Sequence, residues 1–251
     1  MSKNKRNKLA TKASLIKAAL EDIVKNGFKS LSGAKLAEQA GRHGSRITHL
    51  FGGLGGLIKA TVAEHDHWDL LFKKFSIPKD AGEKETRKLF AGLMATNFSA
   101  FKENTDMQHM ILGQMSVKLE VLQEISAYRE LEGAKLLDRT DRYFEDSGVC
   151  FRTVIGLLLY GSYGLVLHAR HTGGTVAGKD INKEEDLKVA KQTIANLIEL
   201  AWEDAGKKRK TGLREKKKGL RGKMTVLLIA GILWTEEVQN IPMLFTEGNF
   251  F

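Results

Sequence analysis

The sequence contains very little cysteine and proline. Its 251 residues include one cysteine, Cys150, and two prolines, Pro78 and Pro242. A single cysteine excludes disulfide bonds within the chain, which predicts a reducing, cytoplasmic location. Because Cys150 stands between Val149 and Phe151, we expect it to be a small buried hydrophobe. The scarcity of proline allows long helices to run without interruption.

Signatures of catalysis are absent as well. The sequence has no phosphate-binding glycine loop, no nucleophile elbow and no paired catalytic carboxylates with a matching base. We therefore predict that the protein is not an enzyme and needs no cofactor. His65 and Asp69 are four residues apart and would share one face of a helix. Two ligands are too few for a closed metal site, so we predict no metal.

Charge is plentiful but unevenly distributed. The net charge is +10, made up of +7 over residues 1–68, −3 over 69–206 and +6 over 207–251. The basic first segment predicts a polyanionic partner, and charge alone fits nucleic acid and an anionic membrane surface equally. Residues 207–223 predict a disordered basic tail. The apolar run 224–234 is about half the length of a bilayer span, so we expect no stable membrane insertion.

Apolar periodicity predicts an all-α protein without strands or repeats. The first helix covers residues 11–26, with Thr11 as its N-cap, and a fourth helix begins at Gly55-Gly56 and continues through Phe72. Further apolar stripes lie within residues 89–115, 119–137, 149–168 and 187–202. We place an N-cap at Asn182, and we expect the last helix to end at Gly206.

Between the first and fourth helices, two short helices predict a helix-turn-helix. Ser32 caps a helix over 33–40, a turn with Arg42 follows, and a third helix covers 45–51 with Ile47, Leu50 and Phe51 inward. Its outer face presents side chains that bind base edges and phosphates. The predicted DNA-binding residues are Ser32, Lys35, Arg42, His43, Ser45, Arg46, Thr48, His49 and Lys59. A basic N-terminal arm, containing Lys3, Lys5, Arg6 and Lys8, is predicted to follow the DNA backbone or enter a minor groove.

The stretch LIKAALEDIVKNGFKSLSGAKLAEQAGRHGSRITHLFGGLGGLIKATV resembles the N-terminal domain of the TetR family of transcriptional regulators. The shared features are the Asn-Gly-Phe after the first helix, the segment KLAEQAG, the closing Phe51 and the Gly pair before Leu57-Ile58. The sequence departs from the family at Thr48, where an aromatic residue is usual, and at Leu54, where a phosphate-binding lysine is usual. These departures remove two usual phosphate anchors, for which Lys59, Arg46 and the basic N-terminal arm could compensate.

The resemblance implies a ligand-responsive repressor that acts as a homodimer on a palindromic operator in double-stranded DNA. It implies a DNA-binding domain with its basic arm over 1–60 and a helical ligand-binding and dimerisation domain over 61–206; the composition sets the tail, 207–251, apart from both. The effector is an unknown small molecule. Candidate ligand contacts are Phe98, Met110, Met115, Tyr160 and Tyr163. Small residues within 149–168, among them Gly156, Gly161 and Gly164, allow another helix to approach closely. That helix could belong to a second copy of the chain or to the same chain.

A second interpretation remains open from the sequence. The basic and apolar tail is compatible with a membrane-surface or structural interaction protein whose helix-turn-helix is degenerate. The two interpretations differ in which segment binds the partner.

Overall fold

The computed structural model describes the backbone of residues 3–239 and the side chains of residues 5–212. Ten α-helices and one 3₁₀ turn, Phe28–Ser30, make up this part of the chain. The helices are α1 (Lys3–Asn26), α2 (Gly33–Gln39), α3 (Ser45–Phe51), α4 (Leu54–His65), α5 (Trp68–Lys74), α6 (Glu83–Glu103), α7 (Thr105–Ser116), α8 (Glu120–Phe144), α9 (Phe151–Thr172) and α10 (Glu184–Gln239). Within the described residues the only β pairing is one isolated bridge between Val176 and Lys179. The all-α prediction is confirmed.

The first four helices form a small domain around one apolar cluster. Successive turns of α1 face this cluster with Leu15 and Ala19, which are fully buried. Leu36 from α2, Ile47 from α3 and Leu57 from α4 complete it. Each short helix contributes only one or two buried side chains, so this packing, and not helix propensity, holds α2 and α3 in place.

Helices α5 to α10 form the larger domain around a core rich in aromatic rings. The Phe144 and Phe151 rings stack with their centroids 4.4 Å apart, and the Trp202 ring meets both edge-on. Trp202 projects from α10 and is 1% exposed. Offset and edge-on ring pairs stabilise such a core beyond the burial of their surface. This cluster fixes α10 against α8 and α9.

A third cluster belongs to both domains at once. Ile23, Phe28, Ile58, Val62, Met110 and Leu122 are all buried in it. The first four come from the small domain, whereas Met110 and Leu122 come from α7 and α8. On α7, Gly113 lies directly against the Phe28 ring: a Cβ at Gly113 would stand 2.3 Å from Phe28 Cδ2. The two domains therefore share a core, and the predicted boundary between residues 60 and 61 falls inside α4.

Three of the predicted helix ends are wrong. Helix α1 begins at Lys3, so Thr11 lies inside it, and its hydroxyl donates to the Asn7 carbonyl. The predicted fourth helix is two helices, because Asp66 adopts an extended conformation and its carboxylate accepts a hydrogen bond from the Trp68 amide. Helix α10 begins at Glu184, two residues after the predicted cap at Asn182.

The end of the last helix is also wrong. Helix α10 passes through Gly206 and continues to Gln239, so the backbone of the predicted disordered tail is helical as far as residue 239. An isolated glycine costs a helix about 1 kcal/mol, which the flanking turns of a long helix offset. The side chains of the apolar run 224–234, and residues 240–251 altogether, lie outside the described residues.

The predicted burial of Cys150 is wrong. The thiol is exposed at the position that precedes α9, where it accepts a hydrogen bond of 3.0 Å from the Thr153 hydroxyl. Its neighbours Phe151 and Val149 turn towards the core instead. Sequence neighbours do not decide burial at the start of a helix, since successive residues there point in different directions.

Helix α9 is the one described helix whose length and composition would allow it to cross a membrane. Its 22 residues reach a mean hydropathy of 1.2, and 33% of the apolar window is buried inside the protein. Core helices of soluble proteins meet the same criterion. Helix α9 packs against α6, α7, α8 and α10.

Candidate nucleic-acid interface

Helix α2 is positioned by a cap at its start and an ion pair behind it. The Ser32 hydroxyl accepts a hydrogen bond of 3.3 Å from the Lys35 amide, which satisfies one of the free N–H groups of the first turn. Lys35 Nζ lies 2.6 Å from the Asp22 carboxylate on α1. The charge of Lys35, predicted to meet DNA, is thus already paired within the domain.

Asp22 was not anticipated from the sequence. Its side chain is 1% exposed and accepts hydrogen bonds from Lys35, Asn26 and the Ser30 hydroxyl. Burial alone raises the pKa of Asp22, but these hydrogen bonds outweigh it and hold the pKa below its usual value. A charged Asp22 therefore ties α2 and the 3₁₀ turn to α1. The sequence signal for it was weak: an acidic residue directly before the buried Ile23 and directly after a second acidic residue, Glu21.

The turn before α3 is fixed by polar side chains. His43 Nδ1 lies 2.9 Å from the Ser45 hydroxyl and 3.4 Å from the Ser45 amide, so the imidazole caps the start of α3. Arg42 reaches back to α1, where its Nε donates to the Ser14 hydroxyl at 3.3 Å. These contacts orient the N-terminal end of α3, the end with which a recognition helix reads DNA.

Helix α3 has a buried face and a polar exposed face. Ile47 is 3% exposed, and Leu50 and Phe51 are half-buried against the same cluster, as the sequence predicted. On the opposite side, three side chains are exposed and make no hydrogen bond or ion pair with any described residue: Arg46, Thr48 and His49. Their donors and acceptors are available to a partner outside the chain.

The corner between α3 and α4 depends on glycines. Gly52 and Gly53 have φ values of 76° and 127°, in the region that favours glycine. A Cβ on Gly56 would stand 1.8 Å from the Phe51 carbonyl oxygen, so the first turn of α4 rests against the end of α3. The first N–H groups of α4 have no acceptor within that helix. Free N–H groups at a helix start bind phosphate.

The remaining predicted contacts with DNA are partly engaged within the protein. Lys59 Nζ lies 2.6 Å from Glu124 of α8, and both side chains are about half exposed. An exposed pair of this kind contributes little to stability, so a phosphate can compete for Lys59. The predicted basic arm is helical: it forms the first turns of α1. Lys12 was missed, and its ammonium lies 5.5 Å from the centre of the Phe51 ring.

Solved structures with the same arrangement are known. A TetR-family transcription regulator from Marinobacter aquaeolei VT8 matches 80% of this chain and 97% of its own, with 18% identity and a TM-score of 0.54. A putative fatty acid metabolism regulator from Clostridium perfringens matches 74% of this chain and 97% of its own, with 12% identity and a TM-score of 0.55. The chain has the TetR fold. A putative TetR-family regulator from Vibrio parahaemolyticus matches 77% of this chain and 97% of its own, with 14% identity and a TM-score of 0.50.

The resemblance of the sequence to the TetR family is thereby confirmed at the level of fold. No protein-family model matches the sequence, and no curated protein matches it significantly. Identities of 12–18% show that these proteins share a backbone arrangement. What this protein binds has to be inferred from its own residues, because fold does not determine function.

In this TetR fold, the larger domain holds a partly open cavity of about 220 Å³ that is lined by α5, α6, α7, α8 and α9. It opens into a groove of about 680 Å³ along α7 and α8. Cavity and groove share six lining residues: Ile111, Gln114, Ser126, Glu130, Tyr160 and Tyr163. Concave, mostly apolar sites of this size are where small molecules bind.

The five predicted ligand contacts divide between this site and the core. Tyr160 and Tyr163 line both cavity and groove, and Met115 lines the groove. Phe98 is fully buried in the core of the larger domain, and Met110 is fully buried in the shared cluster; neither lines the cavity or the groove. The sequence did not identify Gln114 and Arg129 as lining residues, although both belong to the wall of this mostly apolar cavity. A single sequence does not reveal which polar residue of an amphipathic helix turns inward.

Proposed function

We propose that the protein is a transcription regulator that binds double-stranded DNA through α2 and α3. The observation that supports this most is the outer face of α3. Arg46, Thr48 and His49 are exposed and unengaged there, beside a capped turn and the free N–H groups of α4. Arginine in a major groove donates two hydrogen bonds to guanine, and each such contact is worth about 1–3 kcal/mol of discrimination.

The proposal includes a homodimer formed through α9 and α10. Four large apolar side chains of these helices are more than 45% exposed: Leu157, Tyr160, Val189 and Leu200. Nothing lies within 4 Å of a Cβ built on Gly161 or Gly164 of the same face of α9. Contiguous exposed apolar surface marks an interaction site. Two copies joined there would present two α3 helices to successive major grooves on one side of DNA.

The proposal also includes control by a small ligand. Helix α7 carries Ile111 and Gln114 in the wall of the cavity, whereas its Met110 and Gly113 lie against the shared core and the Phe28 ring. One rigid helix thus contacts both the cavity and the DNA-binding domain. A ligand that displaces α7 changes the position of α1 and α4, and it does so only through unequal affinity for the two positions. Repression is the expected direction.

DNA recognition is tested with the full-length protein and a selection from random duplexes. We expect the selected duplex to bind about 10³-fold more tightly than a scrambled one at near-physiological salt. Arg46→Ala with His49→Ala should remove most of this preference. The control is Arg139→Ala with His171→Ala, which removes the same side-chain types from exposed positions in the larger domain.

Equal and steeply salt-dependent binding to both duplexes would contradict the proposal, since phosphates alone would then be recognised. If anionic vesicles also bound the protein, the membrane-surface interpretation would replace it. Dimerisation is tested by sedimentation: Leu157→Glu with Leu200→Glu should give monomers. Leu70→Glu with Leu131→Glu places the same charges on exposed leucines of α5 and α8 and should leave the dimer intact. A wild-type monomer at micromolar concentration would contradict this part.

A further inference from the structure

The wall of the cavity is mostly apolar. It is built by aromatic and aliphatic side chains of α5, α6, α8 and α9: Trp68, Phe72, Phe90, Leu93, Met94, Leu136, Leu137, Ile155 and Leu159. A ligand that fills it must itself be predominantly apolar, because an unpaired polar group would lose its hydrogen bonds to water. The few polar groups in the wall then decide what else the ligand carries.

Both arginines in the wall are already neutralised. Arg129 Nε lies 2.6 Å from the Asp66 carboxylate, and each of these side chains is only 11% exposed. Arg152 donates to Asp138 and Asp141 at 2.6–3.0 Å. An anionic ligand would have to displace an aspartate from its arginine. Among the described residues of the cavity wall, no unpaired positive charge is left for a carboxylate or phosphate; Lys118, which is exposed, lines the groove alone.

The wall also carries negative charge without compensation. Glu130 lines both cavity and groove and forms no ion pair with any described residue. Arg152 is shared between two aspartates, which leaves that group with a net negative charge. Like charges within a few ångströms repel, so this balance disfavours an anion further.

Two hydrogen-bond donors in the wall lack acceptors. The Gln114 Oε1 atom accepts from Arg129 at 2.7 Å, which orients the amide and leaves its Nε2 buried without a partner. The reverse orientation would place two donors against each other. The Tyr163 hydroxyl oxygen accepts from Trp68 Nε1 at 3.0 Å, so its own proton is left to donate. Burial raises the pKa of Tyr163, which keeps that proton in place at neutral pH.

We propose that the effector is an uncharged, predominantly apolar molecule with a carbonyl oxygen, such as an ester, ketone or amide. The carbonyl oxygen accepts hydrogen bonds from the donors that Gln114 and Tyr163 leave free, and the apolar part fills the cavity. A buried donor without an acceptor is unfavourable, so an acceptor on the ligand supplies the hydrogen bond that this donor lacks. The proposal rests on the regulator function above, because it names the ligand class of the same cavity.

The test compares three probes with one chain length by calorimetric titration of the full-length protein. They are methyl octanoate, which is neutral and has a carbonyl, octanoate, which is anionic, and octylammonium, which is cationic and has no acceptor. We expect the ester to bind at least about tenfold more tightly than either ion, a difference of about 1.4 kcal/mol. Equal or tighter binding of octanoate or octylammonium, or no binding of any probe, would overturn the proposal.

Two variants report on the groups invoked. Gln114→Glu keeps an acceptor for Arg129 and removes the donor, so it should weaken binding of the ester about tenfold; Gln123→Glu, in the groove, is the matched control. Asp66→Asn frees the charge of Arg129 and should tighten binding of octanoate; Asp69→Asn, on exposed surface, should not. Unchanged ester binding by Gln114→Glu would refute the role of that donor.

No DNA is present in these titrations, so their outcome is independent of the regulator function. Release of the selected duplex by the ester is measured separately. Ester binding without release would count against ligand control and leave the ligand class standing. Selective DNA binding together with a preference for octanoate would count against the ligand class alone.

Discussion

Replacement of Gly113 by alanine should destabilise the protein, although the same change normally stabilises a helix. Alanine gains about 0.5–1 kcal/mol over glycine inside a helix. At Gly113, however, the new Cβ would stand 2.3 Å from Phe28 Cδ2 and 2.4 Å from Cε2. Favourable contacts between carbon atoms lie at about 3.5–4.0 Å, so the ring must move by more than 1 Å.

The Phe28 ring cannot move without a loss of stability, because it is packed on all sides. Its side chain is 3% exposed and belongs to the cluster shared by the two domains. Forcing an extra methyl group into such a core costs about 1–3 kcal/mol. After the gain in helix propensity is subtracted, we expect Gly113→Ala to lower the free energy of unfolding by about 1–2 kcal/mol.

Urea denaturation of the full chain measures this change; it is done at one fixed protein concentration, because the proposed dimer would make apparent stability depend on concentration. Gly206→Ala in α10 is the control, since its Cβ meets no atom within 4 Å and it should stabilise. Phe28→Leu should lower the free energy of unfolding less in the Gly113→Ala variant than in the wild type, because the smaller side chain relieves the clash with the new Cβ. If Gly113→Ala were as stable as Gly206→Ala, the close contact between α7 and Phe28 of the small domain would be refuted.

Three further outcomes follow from the same structure. Gly56→Ala should abolish the proposed DNA binding, because the new Cβ would meet the Phe51 carbonyl oxygen. Gly55→Ala should retain binding, because its Cβ would point into open space. Equal binding by the two variants would contradict the α3–α4 geometry. The lowered pKa of Asp22 predicts a contribution to stability that is present above its unfolded value of 3.8 and is lost as the pH falls through the lower folded value. Acid denaturation of Asp22→Asn should lack this loss of stability at low pH. If the stability of the variant and of the wild type changed with pH in the same way, the role of Asp22 would be refuted. The pKa of Cys150 is lowered by its hydrogen bond from a neighbouring hydroxyl, so alkylation of the native thiol should reach its midpoint below pH 9.0 and shift upward on unfolding.

Features encoded by adjacent residues were predictable from the sequence. Ser32 marks the start of α2 as a cap, and the residues 45–51 predicted for α3 are those the structure assigns to it. The inward direction of Ile47 follows from helical periodicity alone. Caps, glycine breaks and apolar spacing act within one or two turns, so one sequence suffices to see them.

Features set by contacts between distant residues were not predictable. The α4–α5 break at Asp66 is stabilised by Arg129, which lies 63 residues further along the chain. The pairing of Lys35 with Asp22 turns a predicted DNA contact into part of the domain. The free donor of Gln114 exists only because Arg129 orients the amide. Each of these depends on how helices pack, which hydrophobic periodicity does not specify.

The core shared by the two domains bears on how this chain can be recombined with other chains of the same fold. The simplest exchange would cut the chain at the domain boundary predicted from the sequence, between residues 60 and 61 of α4. Here a cut between residues 60 and 61 would leave Ile58 with α1 to α3 and Val62 with Met110 and Leu122, so it would divide the shared cluster. A working hybrid must therefore transfer the α7 and α8 side of this cluster together with α1 to α4. For this architecture, the residues that must be transferred together are those that share a contact surface, even though they are not contiguous in the sequence.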